Sequence, residues 1–276
     1  MNARRAVHAP SGDIPPCHWQ GGPVDCAACA HRGLREMPDG AGCEPGHACM
    51  QDAYARRIDR FFRWHPELGN AHLDHPYFEV RAIAARHADV FRLPALIDDA
   101  DETVRLQIAL RLPQAHLARM ARDPHREVRI RVAQRLEPAA LAQLRTDSDY
   151  GVREWVARRL PSGLLPLMAQ DPDWVVRMRV AERIEMPALL RMADDGEAEV
   201  RRIVATRLPP ALATRFFHDA DWRVRWEAAR RAQPHTLTPL LTDPDDEVRA
   251  LARQRSGAPP DVRDAAIRPC AGASHG

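Results

Sequence analysis

The sequence predicts an all-α protein in which a solenoid of eight 24-residue repeats follows a small cysteine-rich, metal-binding domain. Three observations lead to this prediction. The dipeptide Val-Arg recurs at a constant interval, the residues around it have the apolar period of a helix, and five of the six cysteines lie in the first fifth of the chain. Together they indicate stacked helical units with a metal-dependent fold at the N-terminal end.

Eight Val-Arg dipeptides define the repeat, and each follows the previous one by 24 residues. They begin at Val80, Val104, Val128, Val152, Val176, Val200, Val224 and Val248. Three further columns keep the same register. An Asp precedes each Val by five residues from Asp99 to Asp243, an Ala follows it by five from Ala85 to Ala229, and an Arg follows it by seven from Arg111 to Arg255. Agreement among four columns excludes coincidence.

Each repeat begins with an Asp-Pro or Asp-x-Asp turn and continues as a helix of about three turns through Val-Arg-x-x-Val-Ala-x-Arg-Leu. Proline ends this helix in several repeats, as at Leu112-Pro113. A Leu-x-x-Leu or Leu-x-x-Met segment follows, as at Leu117 and Met120. Because 24 residues barely hold two full helices and their loops, we predict that the second element is short and partly 3₁₀.

The apolar face of each helix contains the Val, the Ala five residues later, and the residues four and eight later, since these positions share one arc at about 100° per residue. The Arg after Val lies inside that arc and needs an acceptor. The predicted acceptor is the Asp six residues before it, as in Asp99 with Arg105 and Asp123 with Arg129. Such an Asp–Arg ladder would satisfy the turns and hold neighbouring repeats together.

Composition and charge limit the function classes. All 40 basic residues are Arg, but 38 acidic residues leave a formal net charge of only +2, unlike that of a dedicated nucleic-acid binder. No apolar signal sequence and no stretch of about 20 apolar residues occurs, so we expect a soluble, cytoplasmic protein without a membrane partner. The common phosphate-loop, hydrolase and metalloprotease motifs are absent from the sequence, so we expect no enzyme activity.

The cysteine segment contains Cys17, Cys26, Cys29, Cys43 and Cys49 and is too poor in large apolar residues to form its own core. Clustered cysteines in a chain without a signal sequence favour a metal site over disulfides. Cys26-Ala-Ala-Cys29 places two thiolates on one turn, and the Gly-rich returns around Cys43 and Cys49 can complete a set of four. Thiolates suit zinc and iron–sulfur clusters alike, although a Cys-x5-Cys pair is atypical of a zinc ribbon.

Residues near the cysteines have two further expected roles. His31 and His47 are expected to be exposed loop residues rather than ligands, because enough cysteines are present. Downstream, apolar and aromatic residues recur at helical spacing and predict a hydrophobic joint between the cysteine domain and the first repeat. These residues are Tyr54, Ile58, Phe61 and Phe62.

The predicted organisation has four parts. Residues 1–14 are an N-terminal tail, and residues 15–70 are the cysteine domain with its connecting helix. Residues 71–257 are the repeat solenoid, and residues 258–276 are a Gly/Ala/Ser-containing tail. Both tails are expected to be disordered, and Cys270 in the second is expected to have no role.

The unit Asp-Pro-x-x-x-Val-Arg-x-x-Val-Ala-x-Arg-Leu resembles the leucine-rich repeat variant (LRV) family. The segment from DCAACAHRGL to FFRWHPEL is similar to an iron–sulfur domain that precedes the repeats in some LRV proteins. The resemblance implies α and 3₁₀ helices that alternate in a right-handed superhelix. It also implies a 4Fe-4S cluster held by Cys26, Cys29, Cys43 and Cys49. Zinc and a metal-free domain remain alternatives, and Cys17 remains an alternative ligand.

The leading expectation for function is a non-enzymatic scaffold that binds an unidentified protein and carries a redox-active or oxygen-sensing cluster. One alternative is a HEAT-like solenoid that binds nucleic acid and has a structural iron–sulfur or zinc centre. Another is that the cluster only caps the open end of the stack. Large side chains two and three positions after the Val form the predicted partner surface, unless they pack against neighbouring short helices. They are Trp155, Met178, Ile203 and Trp226.

Overall fold

The computed structural model describes residues 14–36 and 42–259, and its regular structure is helical. In these two ranges β-structure is limited to isolated bridges, between His18 and Asp52 and between Glu44 and Ala48. The α-helices are α1 (Ala55–Trp64), α2 (Phe78–His87), α3 (Glu102–Ala109), α4 (Gln114–Leu117), α5 (Arg126–Arg135), α6 (Pro138–Leu141), α7 (Tyr150–Arg159), α8 (Trp174–Ala181), α9 (Ala198–Arg207), α10 (Trp222–Arg231) and α11 (Asp246–Ser256). None of the described helices has both the length and the apolar character needed to span a membrane.

In the seven repeats whose short element lies in the described residues, that element is a 3₁₀ helix, as the repeat length predicts. In two repeats this element begins with a single α-helical turn, α4 in one and α6 in the other. The 3₁₀ segments of the repeats are Leu93–Leu96, Ala118–Arg122, Ala142–Leu144, Ser162–Met168, Leu189–Met192, Pro210–Phe216, Pro234–Thr236 and Thr238–Thr242. Two others, Arg32–Glu36 and Pro66–His72, lie on either side of α1 in the N-terminal part.

The chain divides into two compact units, Met1–Trp155 and Val156–Gly276, with the division inside α7. The first unit contains five of the six cysteines and α1 through most of α7, and the second contains the end of α7 and α8 to α11. Most of both predicted tails, residues 1–13 and 260–276 including Cys270, lies outside the described residues. The predicted boundary at residue 70 stays a prediction.

The predicted core stripe is confirmed within each unit. The Val column and the Ala column are fully buried, from Val80 to Val248 and from Ala85 to Ala229. The short elements add the predicted apolar pairs, for example Leu117 and Met120. Each large apolar side chain removed from water in this way contributes about 1.5–3 kcal/mol. A single repeat has only one such face, so its stability depends on the repeats next to it.

The second Asp of each Asp-x-Asp turn caps the following helix. Asp101 Oδ1 accepts the N–H of Thr103, 2.8 Å away, at the start of α3, and Asp173 does the same for Val175 in α8. The other caps of this kind are Asp149, Asp221 and Asp245. A cap of this type stabilises a helix by about 1 kcal/mol, because it satisfies an N–H that has no intrahelical acceptor.

The Asp–Arg ladder exists, but its predicted pairing is wrong. Arg105 does not bind the carboxylate of Asp99, six residues before it. It binds that of Asp123 in the following turn, with Nε 2.7 Å from Oδ2 and Nη2 3.3 Å from Oδ1. Asp99 supplies only its backbone oxygen, 2.6 Å from Arg105 Nη1. We call the carboxylate contact between successive repeats the inter-repeat pair. It recurs in Arg81–Asp99, Arg129–Asp147, Arg177–Asp195, Arg201–Asp219 and Arg225–Asp243.

In most repeats the Arg seven residues after the Val binds the C-terminal end of the preceding repeat's helix. Arg111 Nη1 donates to the carbonyl oxygen of Ala85 at 2.6 Å, and Arg207 Nη1 donates to that of Ala181 at 2.6 Å. The same contact is made by Arg135, Arg183 and Arg255. The last carbonyls of a helix lack intrahelical donors, so a guanidinium there satisfies one of them and complements the helix dipole.

Candidate metal centre

The four predicted ligands lie in the same part of the first compact unit, but their side chains do not meet at the spacing of a metal site. Cys43 and Cys49 are buried, are hydrogen-bonded to each other, and belong to one hydrophobic core. Cys26 and Cys29 are half-buried and lie close enough for their charges to act on the Cys43 thiol. All five cysteines in the described residues are free thiols. The arrangement presents a set of soft sulfur donors, partly shielded from water.

A turn closed by Asp25 presents Cys26 and Cys29. Asp25 Oδ1 accepts the backbone N–H groups of Ala27 at 2.8 Å and Ala28 at 3.3 Å, which fixes the Cys-x-x-Cys segment. The next residues begin the 3₁₀ helix Arg32–Glu36, and the N–H of His31 points to Cys29 Sγ at 3.4 Å. The thiol of Cys29 therefore already receives one of the N–H contacts that stabilise a metal-bound thiolate.

A tight return brings Cys43 and Cys49 together. Glu44 and Ala48 exchange backbone hydrogen bonds of 2.8 Å, and Gly46 between them has φ +81°, a left-handed conformation that favours glycine. Gly42 passes so close to the carbonyl oxygen of Leu34 that a Cβ there would collide with it. These two glycines explain why the sequence around this pair of cysteines is Gly-rich.

Cys17 contacts other residues than the four predicted ligands do. Its carbonyl oxygen accepts the N–H of Ala53 at 2.8 Å, and its Sγ is 3.5 Å from the carbonyl oxygen of His18. The cysteines whose charges act on Cys43 are Cys49, Cys29 and Cys26. Both the predicted set of four and the role of Cys17 as an alternative ligand stay predictions.

The two buried thiols differ in acidity. The hydrogen bond from Cys43, together with those from the backbone N–H groups of Gln51 and Asp52, lowers the pKa of Cys49 to about 7 against the effect of burial. The same hydrogen bond, followed by burial, raises the pKa of Cys43. Cys49 is thus the thiol of this pair that is readier to become a thiolate, the form that binds metal.

Buried polar contacts fix this loop to α1. Asp52 and Arg57 form an ion pair of 3.0 Å whose side chains are only 1% and 6% exposed. Arg57 also supplies its carbonyl oxygen to the N–H of Cys49 at 3.1 Å. On the same helix, Arg60 Nη1 donates to the carbonyl oxygen of His47 at 2.9 Å. These residues were not predicted from the sequence, which has no spacing that singles them out.

The predicted hydrophobic joint is confirmed. Ile58, Phe61 and Phe62 of α1 are fully buried, and they share one core with Cys43 and Cys49 and with residues of α2 in the first repeat. The α2 residues are Val80, Ile83 and Ala84. Tyr54, the first residue of the predicted joint, is half-buried and lies 5.5 Å from the Arg57 guanidinium. The two buried thiols therefore belong to the same core as the first helix of the repeats.

The prediction that His31 and His47 are exposed loop residues is wrong. His47 is buried and interacts through Nδ1 with Arg60 at 2.8 Å. His31 is half-buried, and its Nε2 lies 3.0 Å from Nε2 of His72. Their partners are 13 and 41 residues away in the chain, so local sequence could not reveal them. The His31–His72 contact links the cysteine segment to the 3₁₀ helix that precedes the repeats.

His72 predicts a pH dependence of stability. Burial, followed by the charge of His31, lowers the pKa of His72 from 6.5 to about 4. Between these pH values the unfolded chain binds the proton and the folded chain does not, so stability falls as pH decreases through this window. We expect His72→Gln to lose less free energy of unfolding than the parent between pH 7 and pH 4.5. The exposed His218, changed to Gln, is the control, and equal pH profiles for parent and His72→Gln would contradict the prediction.

The residues present fit a thiolate-bound cluster. Two of the four sulfurs lie in an apolar core, one of these has a lowered pKa, and N–H groups point at the sulfurs of Cys29 and Cys49. Burial and hydrogen bonds to sulfur are the protein features that set the potential of iron–sulfur clusters. In residues 14–36 and 42–259, no three His, Cys, Asp or Glu side chains meet at the spacing that could hold a metal ion.

Two family models match the chain. One, described as the LRV protein FeS4 cluster, covers residues 16–71, and the other, the leucine rich repeat variant, covers residues 150–173. A protein of Rhodobacter capsulatus, described as an uncharacterized 27.7 kDa protein in the nifB 3' region, is 48% identical over 101 residues. That match includes 37% of this chain and only 40% of the curated relative.

A solved structure extends the likeness to nearly the whole repeat region. It is described as a leucine-rich repeat variant with a novel repetitive protein structural motif, and it is 43% identical to this chain with a TM-score of 0.79. The match covers 84% of this chain and 98% of that one. The 24-residue register, the 3₁₀ elements and the cysteine domain agree with these findings. The chain belongs to the leucine-rich repeat variant family and has an iron–sulfur cluster domain of the FeS4 type ahead of its repeats.

Proposed function

We propose that this protein is a non-enzymatic, cytoplasmic interaction scaffold whose N-terminal domain holds a redox-active or oxygen-sensing 4Fe-4S cluster through Cys26, Cys29, Cys43 and Cys49. The observation that carries the proposal is the shared core: the buried thiols pack on α1, and α1 packs on the first repeat. A change in the cluster would therefore act on the surface that the repeats present. When bound, the cluster supplies one-electron chemistry.

The repeats support protein binding over nucleic-acid binding. The inter-repeat pairs join arginines to carboxylates along the repeats, so these guanidinium groups are not available for phosphates. Trp174 and Trp222 are about 40% exposed. Each lies four residues before a predicted surface residue on the same helix, Met178 or Trp226, both of which are half-buried. Trp155 and Ile203 are half-buried as well.

The test is to purify the full chain without oxygen and to measure iron, sulfide and zinc per chain together with the visible spectrum. We expect brown protein with broad absorption at about 400 nm and roughly four irons and four sulfides per chain. Reversible reduction and reoxidation would support the redox role over a purely structural cap. Colourless protein that contains one zinc after iron reconstitution would overturn the iron–sulfur part of the proposal.

The partner requires a separate experiment. Because the gene of the R. capsulatus relative is described as lying in the nifB 3' region, proteins encoded near nifB are the first partners to test. Phe91, an exposed residue of the first repeat, provides the control. Binding that is lost in Trp222→Ala and kept in Phe91→Ala would support the predicted partner surface on the repeat helices. Tight binding of a DNA duplex at low salt would instead favour the nucleic-acid alternative.

A further inference from the structure

His65 carries a buried ring nitrogen without a partner. It follows the last residue of α1, and its side chain is only 5% exposed. Its Nδ1 lies 3.5 Å from Glu67 Oε1, whereas its Nε2 is inaccessible to solvent and has no hydrogen-bond partner among the described residues. A buried polar atom left unpaired costs about 1–3 kcal/mol, so it needs an explanation.

The ring of His65 lies in the cysteine domain. It packs against Phe61 with ring centroids 5.1 Å apart, and Phe61 shares a core with Cys43 and Cys49. His31 packs against the same Phe61 ring at 5.7 Å, and its backbone N–H points to Cys29 Sγ. The imidazoles of His31 and His65 therefore lie on one phenyl ring, which belongs to the same core as Cys43 and Cys49.

We propose that Nε2–H of His65 donates a hydrogen bond to a sulfur of the iron–sulfur cluster and so raises its reduction potential. The inference rests on the proposed function, because the four cysteines must hold the cluster. Sulfide and thiolate sulfurs are the acceptors that the cluster would bring to this domain, and its negative charge favours a protonated donor. A sulfur acceptor beside Nε2 would select the tautomer that carries the proton on Nε2, with Nδ1 3.5 Å from Glu67 Oε1.

A hydrogen bond to sulfur stabilises the reduced cluster more than the oxidised one, because reduction adds negative charge. His65 is thus a positioning and tuning residue rather than a ligand. It also links the potential to the end of α1, where the chain enters the 3₁₀ helix Pro66–His72. No local sequence pattern indicates this role, since His65 is 16 residues from the nearest cysteine, Cys49.

The test compares the parent chain with His65→Phe and His65→Gln, all purified without oxygen. We expect His65→Phe to keep its iron and sulfide but to show a lower potential. The expected change is about tenfold in the equilibrium constant, which is 59 mV for one electron. His65→Gln, whose amide can donate, should lie between the two. The matched control is His125→Phe, which removes another unpartnered buried ring nitrogen in a helix cap of a later repeat and should leave the potential unchanged.

A second readout does not depend on reversible cycling or on the fold of a variant. In parent protein with ¹⁵N-labelled histidine, pulsed electron paramagnetic resonance of the reduced cluster should show coupling to a histidine nitrogen, and His65→Gln should lose it. Equal potentials for parent and His65→Phe, or no nitrogen coupling in the parent, would overturn the inference while leaving the cluster itself in place. A parent chain without iron would overturn both this inference and the proposed function, and the metal analysis separates that case.

Discussion

Replacing Cys29 by Ser is expected to remove most of the iron, sulfide and colour from anaerobically purified protein. A serine hydroxyl is a weaker ligand for iron than a thiolate, and Cys29 lies close enough to Cys43 for its charge to act on that thiol. Metal analysis and the visible spectrum measure the loss. The repeats should stay helical by circular dichroism, because their contacts are with neighbouring repeats.

The same variant should loosen the cysteine domain unevenly. Residues 43–52 share a core with α1 and are fixed by the Asp52–Arg57 pair, so they should keep much of their protection from hydrogen exchange. Residues 24–34 are half-buried or exposed and should lose theirs. Uniform loss of protection through the first repeat would contradict this expectation, because it would show that the cluster, and not the core, holds the joint together.

Cys17→Ser is the matched control, since it makes the same atomic change in the same segment. Cys17 is held through its backbone to Ala53, and this hydrogen bond does not need the thiol. We expect the cluster to remain. If Cys17→Ser lost its colour and Cys29→Ser kept it, Cys17 would replace Cys29 in the ligand set.

The sequence could predict the features that depend on local pattern. The core stripe, the 3₁₀ elements and the aromatic joint all follow from spacing along one helix or one repeat, and the structure confirms them. The site was predictable to the extent that cysteines are chemically distinctive. His47, His65 and His72 were not, because their roles depend on packing against residues that no periodic pattern connects to them.

The error in the ladder has a geometric cause. In a 24-residue repeat, the Asp six residues before an Arg and the Asp 18 residues after it belong to the same column. The sequence therefore cannot distinguish the two pairings, since each Arg of the column from Arg105 to Arg225 has an Asp at both positions. Stacking decides it: the side chain of Arg105 reaches the carboxylate of the following turn, while its other nitrogen binds the backbone of its own turn.

Asp123→Ala is expected to lower the free energy of unfolding by about 2–4 kcal/mol, among the largest effects of any single change in the repeats. Asp123 and Arg105 are 3% and 10% exposed at their side chains, so the change leaves a guanidinium largely buried without its carboxylate. It also removes the acceptor for the N–H of His125, 2.8 Å away. Arg105 keeps the carbonyl oxygen of Asp99, which limits the loss. Asp98→Ala, at an exposed neighbouring Asp, is the control and should change stability little.

Double-mutant cycles distinguish the two pairings directly. Asp123→Ala combined with Arg105→Leu should show a coupling energy of about 2–3 kcal/mol, because each single change already breaks the same bidentate contact. Asp123→Ala combined with Arg129→Leu should show less than about 1 kcal/mol, since Arg129 uses the backbone oxygen of Asp123 and takes its carboxylate from Asp147. Urea unfolding of the full chain measures all of these energies. A larger coupling energy for Asp123 with Arg129 than for Asp123 with Arg105 would contradict the inter-repeat pair. It would instead support the pairing within one repeat that the sequence predicted.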